Sequence, residues 1–328
     1  MKISDLYSDM MAILEPGLSI AITTHVESDG DGMVAAFALQ HLLELDGLKA
    51  PIISDGEKLI QYSFLGSKAR VVTYTDQMSL DALIVLDCNS MDRLGNRAEL
   101  VNKANHVIVI DHHVLEHNPI PASLQYIDTS FSSVGALLYT MYESRIDSLS
   151  SADRVYIAEC IYTTLLNDTN NFVNANTDAE VFDMAAKLVR HGANPHRLYF
   201  KFLQNNSINE MAYIGDALSH IEVHEGNILF LHSDYAAKQR LQVNPEDFKQ
   251  ATRYVQGVRG LTALVYFRED EPGQWKVSLR ALHLDVQKIA ALHKGGGHRQ
   301  AAGCKLQGSL EEVKATILQD IQRAREAQ

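Results

Sequence analysis

Histidine and aspartate side chains follow several apolar runs in this chain, at positions where they could do chemistry. Imidazole nitrogens and carboxylate oxygens bind divalent metal ions, and a metal ion can activate water or hold a phosphate group. Four carboxylates and two or more imidazoles close together would repel and desolvate one another unless cations lay among them. The candidates are His25, Asp29, Asp31, Asp87, Asp111, His112, His113 and Asp168.

Each of these residues also has an ordinary structural explanation. An aspartate that follows a strand is usually a turn former or a helix cap, because its oxygens accept hydrogen bonds from unpaired backbone amides. A histidine in a covered loop is more often a hydrogen-bonded structural residue than a ligand. The metal-site interpretation therefore depends on the whole set occurring together.

The ligand types indicate which metals would fit. Carboxylates and imidazoles without thiolates argue against structural zinc and suit Mn²⁺ best, with Mg²⁺, Co²⁺ and Fe²⁺ as alternatives. Four carboxylates exceed the needs of one ion, whereas two ions about 3.5 to 4 Å apart would use them all. Such a pair can bridge a water molecule, lower its pKa towards neutrality and direct it at phosphorus. We therefore expect two divalent ions, with Mn²⁺ preferred.

The surrounding sequence predicts the elements that bring these residues together. Short β-branched apolar runs such as ALIVL and VIVI alternate with helical patterns in the first half. This alternation predicts a doubly wound, mostly parallel sheet that is covered on both faces. Ligands bind beyond the carboxyl ends of the strands in such sheets. The runs that lead into His25, Asp87 and Asp111 should therefore present their side chains at one edge.

The second half has a different pattern. Helical spacing dominates from Ser132 to about His220, and strands such as LTALVYF then return, interleaved with helices. We predict an α/β chain with a catalytic domain at 1–205 that carries the metal site. A smaller C-terminal α+β domain, with its connecting helix, should occupy 206–328. The length of 328 residues agrees with two domains.

Composition limits the classes of function. The net charge of −12 opposes binding of long duplex nucleic acid, because affinity for a polyphosphate rises with the number of cationic contacts. The sequence has neither a basic and apolar leader nor the roughly 18 consecutive apolar residues of a membrane helix. We expect a cytoplasmic protein without a membrane partner, with three reduced cysteines. The apolar helices leave a homodimer open.

Four segments resemble, in order, the motifs of the DHH phosphoesterase superfamily. They are HVESDGDG (25–32), VLDCNS (85–90), IDHH (110–113) and LLNDTNNF (165–172). A fifth segment, GGGHRQAAG (295–303), resembles the glycine-rich signature of the associated DHHA1 domain. The motifs span nearly the whole chain, which makes the resemblance specific. The sequence is similar to bacterial nanoRNase and oligoribonuclease-like members, which hydrolyse pGpG or short RNA.

The resemblance implies which ion each ligand would hold. Asp87 would bridge the two ions, so that its replacement would disturb both of them. One ion would be held by His25 and Asp29, and the other by Asp31, His112 and Asp168.

The resemblance also implies roles for the remaining residues of the IDHH segment. Asp111 would orient a ligand histidine. His113 would contact the scissile phosphate or protonate the leaving oxygen, and both roles stay open. Together with Asp87 and His112, these two residues make up the expected catalytic set.

The second domain is expected to bind the substrate. Consecutive glycines let a backbone approach a phosphate or base closely, although most glycine runs are only turns. Matching positions in DHHA1 proteins imply that Arg280 and His298 contact substrate phosphate and nucleotide. The predicted substrate-binding residues are Arg259, Arg280, Gly295, Gly296, Gly297, His298 and Arg299.

The first motif departs from the family pattern HxxPDxDA at two informative places. Ser28 stands where the pattern has proline, and Gly32 stands where it has alanine. The metal-ligand positions are intact. Because this loop neighbours the substrate, the departure affects which subfamily the chain resembles.

We expect a metal-dependent phosphodiesterase that hydrolyses linear dinucleotides or very short RNA, pGpG among them, to 5′-mononucleotides through a metal-bridging hydroxide. The acidic chain and its one cluster of cationic residues favour short substrates. A 3′-phosphoadenosine-5′-phosphate phosphatase and a cyclic dinucleotide phosphodiesterase would share the metal site and remain alternatives. A nucleotide-binding regulator is the alternative that is not an enzyme, and intact candidates in all four motifs argue against it.

Overall fold

The computed structural model describes residues 3–56, 62–65, 68–243 and 251–326, with the side chains of Ser4, Arg253 and His298 outside the description. The chain forms two compact units, Met1–Asn205 and Asn206–Gln328. None of the helices in the described ranges is long and apolar enough to cross a membrane.

The first unit is built on a six-stranded sheet in which all strand pairings are parallel. Its strands are β1 (Ile20–Thr23), β2 (Ile52–Ser54), β3 (Val71–Thr73), β4 (Ala82–Leu86), β5 (His106–Asp111) and β6 (Leu124–Ile127). Their order across the sheet is β3-β2-β1-β4-β5-β6. The order reverses between β1 and β4, and such a reversal opens a crevice at the carboxyl ends of the strands.

Helices cover both faces of this sheet, as the continuous apolar runs predicted. Ile84 of β4 packs into one core and its neighbour Leu83 packs into the other, because successive strand residues point to opposite faces. This arrangement confirms the predicted doubly wound sheet. The helices of this unit are α1 (Ile3–Ile13), α2 (Gly30–Leu45), α3 (Ala98–Lys103), α4 (Val134–Asp147), α5 (Ser151–Asp168), α6 (Ala179–Arg190) and α7 (Pro195–Phe202).

The second unit contains a mixed six-stranded sheet with four α-helices among its described residues. Its strands are β7 (Glu222–His224), β8 (Ile228–Ser233), β9 (Ala263–Glu271), β10 (Gln274–Arg280), β11 (Gly296–His298) and β12 (Ala301–Gln307). The order is β11-β12-β10-β9-β8-β7, and only β8 and β9 pair in parallel. This confirms the smaller α+β region. The helices are α8 (Ile208–Ser219), α9 (Tyr235–Leu241), α10 (Val286–Leu292) and α11 (Leu310–Glu326).

Some of the short strands were not predicted from the sequence. Strands β6, β7 and β11 lie at sheet edges and have three or four residues, too few for a recognisable apolar run. Strand β12 is made of small and polar residues, AAGCKLQ. The three cysteines are free and buried, in keeping with the structural role expected for them.

Candidate metal centre

The carboxyl ends of β1, β4 and β5 bring the predicted ligands together beside the reversal in strand order. His25 lies two residues beyond β1, Asp87 directly follows β4, and Asp111 is the last residue of β5. Asp168 is the last residue of α5. All six predicted metal ligands fall into three overlapping groups whose ligand atoms lie within 4.8 Å of one another. The groups are His25, Asp29 and Asp87; Asp31, His112 and Asp168; and Asp87, His112 and His113.

The first group is fixed by backbone contacts. His25 Nδ1 lies 2.7 Å from the carbonyl oxygen of Val26, which directs Nε2 towards the carboxylates. His25 Nε2 is 3.6 Å from Asp87 Oδ2 and 4.0 Å from Asp29 Oδ1. Asp29 also caps α2 by accepting a hydrogen bond from the backbone of Asp31. The Asp29 side chain is therefore both a helix cap and a candidate metal ligand, so the structural and the functional explanation of this residue are compatible.

The second group is held by the start of α4. Both oxygens of Asp31 accept backbone hydrogen bonds, from Val134 at 2.6 Å and from Gly135 at 3.1 Å. A helix amino terminus favours a carboxylate there because of its unpaired N–H groups and its dipole. His112 Nε2 lies 3.3 Å from Asp31 Oδ2 and 3.1 Å from Asp168 Oδ2. No local sequence pattern predicted that α4 would take part in the site.

Asp87 faces both groups. Its Oδ2 faces His25, and its Oδ1 lies 3.5 Å from His112 Nε2. The residue has φ of 57°, in the left-handed region that aspartate enters more readily than most residues other than glycine. Such strained backbone clusters at functional sites, where surrounding structure enforces it. This position, with one oxygen directed at each group, is the geometry that a bridging ligand requires.

Asp111 acts on the loop that follows β5. Its carboxylate accepts hydrogen bonds from the backbone of His112 at 2.7 Å and from His113 Nδ1 at 2.9 Å. The ring that it orients is thus that of His113, whereas His112 Nδ1 lies 3.2 Å from the carbonyl oxygen of Phe131. Asn89 donates to the other Asp111 oxygen at 2.6 Å. Asn89 stood within the quoted VLDCNS segment but was not predicted as a site residue.

The groups of the centre shift one another's protonation. Burial raises the pKa of Asp31, and the charges of Asp168 and Asp87 raise it further, well above its usual range. Burial would also raise the pKa of Asp87, but contacts from three histidines outweigh it and leave that pKa well below the usual range. Burial lowers the pKa of His113, while Asp111 and Asp87 outweigh it and raise that pKa to about 10.

Two buried atoms test whether metal ions fit this centre. Asp87 Oδ1 and His112 Nε2 make no hydrogen bond to any residue that the structure describes. Carboxylate oxygens of three aspartates lie 3.1 to 3.5 Å from His112 Nε2, yet none is aligned for such a bond. An unsatisfied buried polar atom costs roughly 1–3 kcal/mol. A coordinated cation would satisfy both atoms, and the oxygen and nitrogen donors suit hard divalent ions.

The predicted substrate-binding residues lie in the second unit. Arg280 ends β10, and its guanidinium donates to the carbonyl oxygen of Leu279 at 2.8 Å. Burial lowers the pKa of Arg280, and no carboxylate among the described residues pairs with it. Arg259 and Arg299 are exposed in turns. The backbone of His298 belongs to β11, but its side chain lies outside the described part of the structure.

The glycine segment forms a hairpin of β11 with β12 rather than an open loop. A Cβ on Gly295 would lie 2.2 Å from the carbonyl oxygen of Gly303, and one on Gly297 would lie 2.5 Å from that of Ala301. Gly297 also has φ of +135°. These two glycines are therefore needed for the hairpin itself. A Cβ on Gly296 would meet nothing within 4 Å, so local packing does not explain that glycine.

The fold and the clustered ligands place the chain in a class of metal-dependent phosphoesterases. It belongs to the DHH family: residues 19–165 match the DHH family N-terminal domain, and residues 232–326 match the DHHA1 domain. The resemblance seen in the five sequence motifs is thereby confirmed.

The relatives cover almost the whole chain. A Thermus thermophilus protein named bifunctional oligoribonuclease and PAP phosphatase NrnA is 30% identical over 93% of this chain and 91% of its own length. A Bacillus subtilis protein of the same name is 24% identical over 88% of this chain and 89% of its own. The crystal structure of an exopolyphosphatase-related protein from Bacteroides fragilis shares the fold, with a TM-score of 0.87, 21% identity and coverage of 98% of this chain and 96% of that one.

Proposed function

We propose that this protein hydrolyses linear dinucleotides and very short RNA to 5′-mononucleotides, using two divalent metal ions, with Mn²⁺ preferred. The observation that carries the proposal is the position of Asp87. Its two carboxylate oxygens face two ligand groups, one with His25 and one with His112. Two ions in these groups would supply an activated water and offset the charge that develops on a phosphoryl group.

The residues of the chain prepare the site for this chemistry. Asp31 is fixed by α4, and His25 and His112 are directed by backbone carbonyl groups, so that little reorganisation is needed when ions bind. Asp111 holds the His113 ring through Nδ1, which supports a role for His113 in contacting the phosphate or protonating the leaving oxygen.

The substrate class follows from the charges and from the relatives. A net charge of −12 opposes long nucleic acid, whereas the half-buried guanidinium of Arg280, which pairs with no carboxylate among the described residues, suits a single phosphate. The relatives from Thermus thermophilus and Bacillus subtilis are named oligoribonucleases. We assign catalysis to residues 1–205 and substrate binding, through Arg280 and the glycine hairpin, to residues 206–328.

We also propose that this protein has a second activity, because the same relatives are named PAP phosphatases as well. Removing the 3′-phosphate of 3′-phosphoadenosine-5′-phosphate requires the same attack of water on phosphorus. The metal centre would therefore serve both reactions.

Product analysis with labelled substrates tests the proposal. The substrates are pApA, pGpG, 3′-phosphoadenosine-5′-phosphate and an RNA of about 24 residues, each with Mn²⁺ and with chelator. We expect Mn²⁺-dependent conversion of the dinucleotides to mononucleotides and slow attack on the long RNA. Preferred attack on the long RNA would reject the substrate class. Nucleotide binding without any turnover would instead favour a regulator.

A further inference from the structure

Two residues that depart from the family pattern in the first motif lie against each other. A Cβ built on Gly32 would lie 2.8 Å from Ser28 Oγ and 3.1 Å from Asp87 Oδ2. The first distance is shorter than real Cβ contacts allow, so an alanine at 32 would displace the serine hydroxyl. Ser28 and Gly32 are therefore a matched pair, and the glycine leaves room for a hydroxyl close to the metal ligands.

The Ser28 hydroxyl has no structural task in the described part of the chain. Its Oγ is buried and makes no hydrogen bond there. A serine at the start of a helix usually serves as the cap, but Asp29 already caps α2. Tyr62 donates to the backbone carbonyl of Ser28 and leaves the hydroxyl unused. A buried hydroxyl without a partner costs free energy, and alanine would fill the same position without that cost.

The surroundings indicate what the hydroxyl would bind. Ser28 directly precedes the ligand Asp29 and lies three residues after His25. A hydroxyl directed at a carboxylate would already donate to it, and Ser28 Oγ does not. Its proton is thus available to another acceptor that enters the centre. An anionic oxygen is the strongest acceptor for such a donor.

We propose that Ser28 Oγ donates a hydrogen bond to a phosphoryl oxygen of the substrate, beside the ligand group of His25, Asp29 and Asp87. This makes Ser28 a substrate-binding residue, and it rests on the proposed function because the phosphate must enter the metal centre. Gly32 is the residue that permits this contact.

The test compares Ser28→Ala with the unaltered protein in three measurements. Calorimetric titration of the Mn²⁺-loaded protein with inorganic phosphate should show a dissociation constant raised about tenfold, which is 1.4 kcal/mol. The dissociation constant for Mn²⁺ itself should change less than about twofold. The metal-free variant should melt no lower, and up to about 2 °C higher, because an unsatisfied buried hydroxyl is gone.

Ser54→Ala is the matched control. Ser54 ends β2 at the same edge of the sheet, and its Oγ is already engaged by the backbone of Gly56 at 3.2 Å. We expect this variant to leave the phosphate dissociation constant unchanged. A Ser28→Ala protein with unaltered phosphate binding would overturn the proposal, and so would an equal loss of Mn²⁺ affinity, which would make Ser28 a part of the metal site.

A double-mutant cycle with Gly32→Ala independently tests whether Ser28 and Gly32 act as a pair. In the presence of Ser28 the added methyl group should weaken phosphate binding, because it displaces Oγ. In the Ser28→Ala background the same change should have a smaller effect, and equal effects in both backgrounds would contradict the pairing. Phosphate binding can be measured without turnover. Failure to cleave dinucleotides would therefore reject the proposed function, whereas the double-mutant cycle would still decide whether Ser28 binds phosphate.

Discussion

The two units of the chain differ in the sign of the charge that they hold away from water. The first unit holds carboxylates, and the second holds a guanidinium. In the first unit, Asp31 and Asp87 are 0% and 2% exposed among histidines at the edge of a parallel sheet. In the second unit, the half-buried guanidinium of Arg280 has no carboxylate partner within the described residues. The first arrangement would be balanced by cations and the second by an anion. The proposed metal ions and the phosphate of the proposed substrate carry those charges.

Replacing each of the two aspartates that flank β4 would test the first half of this comparison, and the replacement of Asp87 has the largest expected effect. Asp87→Ala should lower kcat on dinucleotides by at least about 10³-fold, because the group of His25 and the group of His112 both lose the carboxylate that faces them. Steady-state kinetics with saturating Mn²⁺ measures the loss.

Asp81→Asn is the control at the opposite end of β4. Asp81 is partly exposed and accepts hydrogen bonds from Ser19 and Asn105, at the far end of the strand from the candidate ligands. We expect kcat within about twofold of the unaltered protein. Comparable losses in both variants would mean that the carboxyl edge has no special role.

Two arginines test the second half of the comparison. Arg280→Met should raise KM for dinucleotides about tenfold without lowering the melting temperature, because no carboxylate is left unpaired. Arg268→Met removes a buried guanidinium that is bonded to Asp270 at 2.6 Å, so it should lower the melting temperature. Kinetics and thermal unfolding of both variants provide the measurements. An Arg280→Met protein that melts lower at unchanged KM would show a structural role.

A substitution at Gly296 in the glycine hairpin should have the smallest effect on KM and on the melting temperature. Gly296→Ala should leave the melting temperature within about 1 °C, since the added Cβ meets nothing within 4 Å. It should raise KM about threefold if the backbone approaches the substrate there. Gly297→Ala is the contrast, because its Cβ would collide with the carbonyl oxygen of Ala301 and destabilise the hairpin. Unchanged KM in Gly296→Ala would remove this glycine from the substrate site.

The sequence was sufficient to predict the sheet and to name the candidate ligands that the structure brings together, because both depend on short segments. Apolar runs define β1, β4 and β5, and polar residues at the ends of parallel strands meet at one edge. The candidate ligands that follow these strands could therefore be named before the structure. Asp168 was named at the end of a helical run, and it does end α5.

The contacts that hold those ligands could not be predicted in this way. Asn89 reaches Asp111 across 22 positions, and Val134 reaches Asp31 across 103. Neither partner has a local pattern that distinguishes it from an ordinary loop or helix residue. The hairpin of glycines was missed for a related reason, because glycine and alanine give no strand signal.

The hydrogen bonds from the start of α4 to Asp31 also affect when the metal centre can form during synthesis of the chain. Synthesis proceeds from the amino terminus, and domains fold as their sequence emerges from the ribosome. Asp31 is fixed only after Val134 and Gly135 have been added, and the centre gains its last ligand at Asp168. A nascent chain that ends before α5 therefore lacks one of the six residues that we propose as metal ligands. We expect such truncated products of translation to be catalytically silent.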